Sequence, residues 1–131
     1  MIFVDTGIWS SASVPEDPNH AVARKLLGEV AADLVTTDYV VDELLTLLVM
    51  HRHHQIANRI GGDFWSQKVC NLVYVNSSDI ASAWDVFVRF NDKSWSFTDC
   101  VSYAVMKRMK IVNALALDEH FKQFGFASVS P

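Results

Sequence analysis

The sequence predicts an α/β fold, in which a central parallel sheet of four to five strands lies between two layers of helices. Two observations support this prediction. Short apolar segments alternate along the chain with longer segments that are apolar on one face. The short segments are apolar throughout rather than at every second residue, which is typical of strands buried on both sides of a parallel sheet.

Composition limits the classes of protein. The 131 residues are half apolar and one fifth charged, as expected for a single globular domain covering residues 1–131. The net charge of -4 argues against a general nucleic-acid coat protein, although four gathered carboxylates would account for it. No apolar run approaches the ~20 residues of a membrane span, and the N-terminus lacks a signal-peptide pattern. We therefore expect a cytoplasmic protein with no membrane partner and with two reduced, buried cysteines, Cys70 and Cys100.

Turn and capping residues separate the predicted elements. The predicted strands are residues 2–4, 34–36, 72–75 and 111–117, with 126–129 as a further edge strand. Asp17 is expected to cap the second helix, with Pro18 at its first position. One of residues 77–79 is expected to cap a later helix, and the glycine pair 61–62 predicts a weak point in the helix before it.

Residues 94–100, with the sequence Ser-Trp-Ser-Phe-Thr-Asp-Cys, lead from a hydroxyl-rich turn into a helix. Ser96 can cap that helix, and Asp99, three residues later, can complete a capping box. This local interpretation accounts for every residue of the stretch. A second interpretation, in which Asp99 binds a metal ion, depends on whether other carboxylates meet it.

Four acids are placed to converge at the carboxyl ends of the predicted strands, where open parallel sheets bind ligands. Asp5 follows the first strand, Asp118 follows the fourth, and Asp99 begins the helix leading into the fourth. Glu43 lies among Val and Leu residues in the helix after the second strand. Asp5 and Asp118 could instead be helix caps, whereas a carboxylate on an apolar face must be paired, protonated or metal-bound. Because like charges held together need a cation, the conjunction favours a divalent metal site.

Four segments carry a resemblance to a known family. They are residues 2–6 (Ile-Phe-Val-Asp-Thr), 42–45 (Asp-Glu-Leu-Leu), 96–106 (Ser-Phe-Thr-Asp-Cys-Val-Ser-Tyr-Ala-Val-Met) and 114–121 (Ala-Leu-Ala-Leu-Asp-Glu-His-Phe). In this order they resemble a PIN domain, and more narrowly the stand-alone toxins of the VapC type. The resemblance covers nearly the whole chain, and the third segment is the most specific.

This resemblance implies a PIN-like three-layer α/β/α fold and a Mg²⁺- or Mn²⁺-dependent ribonuclease that leaves 5′-phosphate and 3′-hydroxyl ends. The implied catalytic and metal-binding acids are Asp5, Glu43, Asp99 and Asp118, supported by Thr6, Thr98 and Ser96. Two positions depart from the family pattern. Gly7 stands where the family often has serine, and Ala116 where it often has threonine, so Asp118 is the acid with the least support.

The resemblance also implies partners. It implies a homodimer and a small VapB-like antitoxin whose C-terminal segment covers the acidic pocket, with the helix over residues 40–50 and the helix before it as a candidate groove. Arg24, Lys25 and Arg52 are the preferred candidates for RNA contacts, because they are near the acid-bearing segments in sequence. The alternative is a catalytically weak or inactive PIN-like module that binds RNA or protein.

Other classes of site fit less well. A haloacid-dehalogenase-like phosphatase needs a second Asp two residues after Asp5, where Gly7 stands. The sequence also has neither the acid pair and late lysine of a receiver domain nor a Gly-rich phosphate loop. The histidines within residues 51–54 lack the i, i+4 spacing of a metal pair on a helix, and Trp95 is expected to pack rather than to stack on a base.

Overall fold

The computed structural model describes residues 1–30 and 33–129 as a sheet enclosed by helices. The strands are β1 (Ile2–Val4), β2 (Leu34–Thr37), β3 (Asn71–Val73), β4 (Asn113–Leu115) and β5 (Ala127–Val129). The helices are α1 (Thr6–Ser13), α2 (His20–Glu29), α3 (Asp38–Met50), α4 (His54–Trp65), α5 (Ser77–Arg89), α6 (Phe97–Met109) and α7 (His120–Gln123). All strand pairs are parallel, in the order β3-β2-β1-β4-β5, so the predicted three-layer α/β/α fold is confirmed.

The apolar strands are buried because helices cover both sides of the sheet. Phe3, Val4, Val35 and Leu115 are completely buried in a core that also includes residues of α1 to α4. A second cluster packs α5 against α6 and includes Trp95. The Trp95 indole donates a hydrogen bond to Gln123 Oε1 at 2.7 Å, and its ring centroid lies 4.2 Å from that of Phe124. The expectation that Trp95 packs is therefore confirmed.

Two predicted helix starts are wrong, for local reasons. Helix α2 begins at His20, because the Asp17 carboxylate accepts a hydrogen bond from the Asn19 backbone at 2.8 Å and forms a turn instead of capping a helix. Helix α5 is capped by Asn76 rather than by a residue of 77–79. Asn76 and Asp79 form a reciprocal capping box, which requires an acid three residues after the cap.

The glycine pair does not break α4, which continues through residues 61–62 to Trp65. A Cβ atom on Gly61 would lie 3.3 Å from Leu45 Cδ2, so this glycine allows α3 and α4 to approach closely.

Cys70 and Cys100 are free and buried, as expected. Within the described residues, the helices are all too short or too polar to cross a bilayer.

A buried ion pair joins α5 to α6. The Arg108 guanidinium donates hydrogen bonds of 2.8 and 2.9 Å to the two carboxylate oxygens of Asp79, a residue only 2% exposed. These hydrogen bonds hold the pKa of Asp79 below its ordinary value, while burial acts in the opposite direction. Asp79 therefore serves two functions, since one side chain closes the α5 cap and anchors α5 to α6.

We expect Arg108→Met to lower the free energy of unfolding at neutral pH by roughly 1–3 kcal/mol, because it leaves a buried carboxylate unpaired and the arginine end of the pair is partly exposed. The depressed pKa means that the pair stabilises the fold above the ordinary Asp value and loses this effect as the pH falls. The difference in the free energy of unfolding between wild type and Arg108→Met should therefore shrink in acid. Urea unfolding of both proteins at pH 7 and below pH 4 measures this difference.

Arg89→Met is the matched control, since Arg89 pairs with Asp85 at 2.8 Å on the exposed side of α5. Such exposed pairs contribute about 0–1 kcal/mol. Equal losses in the two variants would contradict a structural role for the buried pair.

Candidate active site

The carboxylate of Asp5 is buried at the end of the central strand. Its backbone N–H donates to the Leu115 carbonyl at 3.0 Å, in register with the pairing of Val4 with Leu115. Asp5 is the N-cap residue of α1, yet its side chain makes no capping hydrogen bond. It is 5% exposed. Asp5 therefore does not cap α1 through its side chain.

The other three acids act electrostatically on Asp5. Burial, the largest cause, raises the pKa of Asp5 from 3.8 to about 8, and the charge of Asp99 is the next largest cause. The charges of Asp118 and Glu43 act in the same direction, whereas a backbone hydrogen bond with Thr6 lowers the pKa. Asp5 is thus the most deeply buried of the four predicted acids, and the other three are close enough to act on it electrostatically.

Asp99 takes part in the predicted capping box, and its charge also acts on Asp5. Ser96 Oγ accepts a hydrogen bond from the Asp99 backbone at 3.0 Å, and Asp99 Oδ2 accepts one from the Ser96 backbone at 3.0 Å. Burial raises the pKa of Asp99, while the Ser96 hydrogen bond and the nearby His120 oppose that change. The two interpretations of this stretch are therefore compatible.

Asp118 is held by its own loop and is half-exposed, with 47% of its side chain accessible. Its Oδ1 accepts a hydrogen bond from the His120 backbone at 3.0 Å. His120 Nδ1 lies 2.8 Å from Asp99 Oδ2 and 3.4 Å from Asp118 Oδ2. His120 was not among the predicted site residues. Its position two residues after Asp118, at the sheet edge, could have indicated that it lies in the site.

Buried hydroxyl groups lie beside these acids. Thr6 Oγ1 and Ser102 Oγ are both buried and have no hydrogen-bond partner among the described residues. Thr6 follows Asp5 directly, and Ser102 lies one helical turn after Asp99. Thr98, another of the three predicted supporting residues, is half-buried. The sequence did not single out Ser102.

The donor chemistry of the site suits a hard divalent cation, since carboxylate and hydroxyl oxygens predominate. Among residues 1–30 and 33–129, no three His, Cys, Asp or Glu side chains are gathered as a ligand cage. Mg²⁺ keeps several water ligands and commonly takes only one or two carboxylates. Asp5 and Asp99, the two most buried acids of the set, could therefore hold such an ion without a closed cage.

The predicted RNA-contact residues lie on exposed surface. Arg24 and Lys25 are on α2, where Lys25 pairs with Glu29 at 3.8 Å. Arg52 follows the C-terminal end of α3, whereas the acids lie near the N-terminal end of that helix. No ion pair between these three residues and the acids is present in the described part of the chain. Their role in RNA binding stays a prediction.

Cys100 is completely buried directly after Asp99. Burial, with a smaller contribution from the charge of Asp99, raises the pKa of its thiol to about 11. The thiol is therefore protonated at neutral pH, and it is a poor nucleophile and metal ligand in this state.

Comparison with known proteins identifies the family. The model of the PIN domain matches residues 2–127. This chain belongs to the PIN-domain family. Two similar relatives of this PIN protein are the 23S rRNA-specific endonuclease VapC20 of Mycobacterium tuberculosis strains CDC 1551 and H37Rv. Each is 33% identical over 131 residues, covering 100% of this chain and 99% of the relative.

Solved structures of other proteins share this fold. The crystal structure of M. tuberculosis VapC20, described as a Sarcin-Ricin loop cleaving toxin, superposes with a TM-score of 0.93 at 31% identity and covers 100% of both chains. FitAcB of Neisseria gonorrhoeae superposes with a TM-score of 0.72 at 17% identity, covering 100% of this chain and 98% of that chain. At that lower identity the likeness concerns the fold alone.

We expect Asp5→Asn to stabilise the protein in the absence of divalent metal. Because the pKa of Asp5 is higher in the folded protein, its protonated form favours folding. This contribution is complete below pH 3.8 and is lost as the pH rises through about 8. Asparagine mimics the protonated side chain, so the gain should be absent near pH 4 and largest near pH 8. Thermal unfolding in chelator should show a gain of several degrees, since ~1 kcal/mol corresponds to roughly 3–6 °C in a domain of this size.

Asp33→Asn is the matched control, because Asp33 is exposed. A variant at Asp5 that is less stable than wild type at pH 8 would contradict the electrostatic description of the site.

Proposed function

We propose that this protein is a metal-dependent endoribonuclease and the toxin of a toxin-antitoxin pair. The observation that carries the proposal is the buried Asp5 carboxylate, on which three further acids act at the carboxyl edge of a parallel sheet. Gathered carboxylates of this kind are destabilising unless a cation neutralises them. The full-length likeness to an rRNA endonuclease supports the same function.

The side chains divide into those that hold the ion and those that support them. Asp5 and Asp99 would hold Mg²⁺ or Mn²⁺ directly, and Glu43 would contact it directly or through water. When bound, the ion neutralises charge on the transferring phosphoryl group and activates or orients a water molecule. Thr6 Oγ1 is buried without a partner and so is available to hydrogen-bond a water molecule or a phosphate oxygen.

The substrate we propose is a structured ribosomal RNA loop. VapC20 is described as specific for 23S rRNA and as cleaving the Sarcin-Ricin loop, and it matches this chain from end to end. The net charge of -4 indicates that general attraction to phosphate contributes little. Recognition would then depend on the shape of the RNA loop and on local contacts, with Arg24, Lys25 and Arg52 as candidates.

Two protein partners belong to this proposal. A homodimer would cover the exposed apolar residues of α5, among which Trp84 is 58% and Val88 54% exposed. A VapB-like antitoxin would cover the acidic site in the cytoplasm. Helix α3 does not offer a groove along its length, because Val40, Val41, Leu44 and Leu48 belong to the core. The C-terminal end of α3 borders a pocket of about 290 Å³, which is lined by Leu47 and Leu48 together with other residues. This pocket is the part of α3 where we propose that the antitoxin docks.

Cleavage of a Sarcin-Ricin loop hairpin tests the enzymatic part of the proposal. We expect Mg²⁺- or Mn²⁺-dependent cutting that chelator abolishes, with 5′-phosphate and 3′-hydroxyl ends on the products. Asp5→Asn and Asp99→Asn should each reduce the rate by at least about 100-fold, because each removes charge that holds the ion. Asp42→Asn, an exposed neighbour of Glu43, is the matched control.

Cutting that survives both substitutions would reject the acidic site. Binding of the hairpin without any cutting would instead support the inactive RNA-binding module.

Expression in bacterial cells tests the toxin assignment. The wild-type chain should arrest growth, and co-expression of the protein from the adjacent reading frame should relieve the arrest. Asp99→Asn should not arrest growth, provided that immunoblotting shows equal amounts of the two proteins. Cleavage in vitro without arrest in cells would indicate a housekeeping ribonuclease.

A further inference from the structure

His120 is the one imidazole that lies among the acids of the site. Its Nδ1 atom is 2.8 Å from Asp99 Oδ2 and 3.4 Å from Asp118 Oδ2, and its side chain is 22% exposed. The Nδ1 atom is buried, and among the described residues no atom meets the geometry of a hydrogen bond with it. This ring nitrogen thus lies between two carboxylates in an electrostatic contact rather than in a hydrogen bond.

The residue after His120 anchors this part of the backbone in the core. Phe121 is completely buried, and its ring centroid lies 5.9 Å from that of Phe3 in β1. The same strand leads directly into Asp5. His120 is therefore anchored to the central strand that presents the most buried acid, and its position is set by the core rather than by a free surface loop.

The two oxygens of Asp99 have different surroundings. Oδ2 accepts the Ser96 backbone N–H at 3.0 Å and is contacted by His120 Nδ1. The Ser96 backbone hydrogen bond and the His120 contact thus fall on the same oxygen. Oδ1 takes part in neither of these two contacts, and they constrain the direction in which it points.

Asp118 is engaged with His120 on both oxygens. Oδ1 accepts the His120 backbone N–H at 3.0 Å, and Oδ2 lies 3.4 Å from the imidazole. A half-exposed carboxylate that folds onto the next residue but one is well placed to orient that residue. Carboxylates commonly have this role towards histidines beside metal ions, where they fix the orientation of the ring.

We propose that His120 is a positioning residue, which holds Asp99 through Oδ2 so that Oδ1 faces the ion, and that Asp118 acts through His120 rather than as a direct ligand. The proposal rests on the proposed metal-dependent function. It requires only an N–H group at Nδ1, which the neutral imidazole can supply. No proton transfer by His120 is involved.

Two substitutions separate this role from others. His120→Asn keeps an N–H donor at the position of Nδ1, because the asparagine Nδ2 is separated from Cα by the same number of bonds. His120→Leu removes the donor and keeps the bulk. Glu119→Gln is the matched control on the exposed neighbour. For each variant we would measure Mn²⁺ binding by electron paramagnetic resonance, thermal unfolding, and kcat for hairpin cleavage at saturating Mn²⁺.

We expect His120→Leu to weaken Mn²⁺ binding by about 10- to 100-fold, the usual effect of losing an outer-shell partner. His120→Asn should stay within about 3-fold of wild type, as should Glu119→Gln. The double variant Asp118→Asn, His120→Leu should bind Mn²⁺ no more weakly than His120→Leu alone, since residues that act through one another are not additive.

Three results would overturn the inference. Unchanged Mn²⁺ binding by a folded His120→Leu variant would show that His120 positions nothing. Equal losses in His120→Asn and His120→Leu would show that the imidazole itself is required, as a ligand or proton carrier. A further loss in the double variant would show that Asp118 binds the ion directly.

The failure of the proposed function gives a different pattern. A wild-type chain that binds Mn²⁺ but does not cut RNA overturns the ribonuclease proposal, while the binding comparisons still decide the role of His120. A wild-type chain that binds no Mn²⁺ overturns both.

Discussion

The position of Asp5 is the constraint on which the site depends. The carboxylate at the end of the central strand is almost completely buried, and pairing of β1 with both neighbouring strands fixes the backbone that carries it. The cost of ionising it is visible in a pKa raised to about 8. Every other acid of the site increases this cost. The fold therefore concentrates negative charge at this edge of the sheet, which favours binding of a cation. Asp99 adds to this charge, and His120 lies beside Asp99.

Much of this arrangement follows from the sequence. Continuous apolar strands between helices imply a parallel sheet, and a parallel sheet brings its carboxyl ends to one edge. Asp5, Asp99 and Asp118 all come at this edge in the sequence pattern, so they are expected to lie near one another. The Ser96 capping box is equally local, because spacing alone decides whether a cap and an acid three residues later can meet.

Other features depend on packing that spacing does not encode. The Asp17-Pro18 pair is a good helix start, yet the Asp17 side chain bonds to Asn19 within a turn. Gly61 signals a weak helix in isolation, but it permits close contact with Leu45 across two helices. The segment that carries His120 is held against β1 by the buried Phe121, which contacts Phe3 more than 100 positions away in sequence.

Cys100 has a consequence for the survival of the site under stress. Oxidants and alkylating reagents attack the thiolate form of cysteine, and a thiol with a pKa of about 11 that is sealed from solvent offers almost none of it. A sulfur atom thus lies beside the acidic centre without making that centre sensitive to redox conditions. Peroxide or disulfide stress should therefore leave the acids and their helix intact, because Cys100 gives the site no redox-sensitive group.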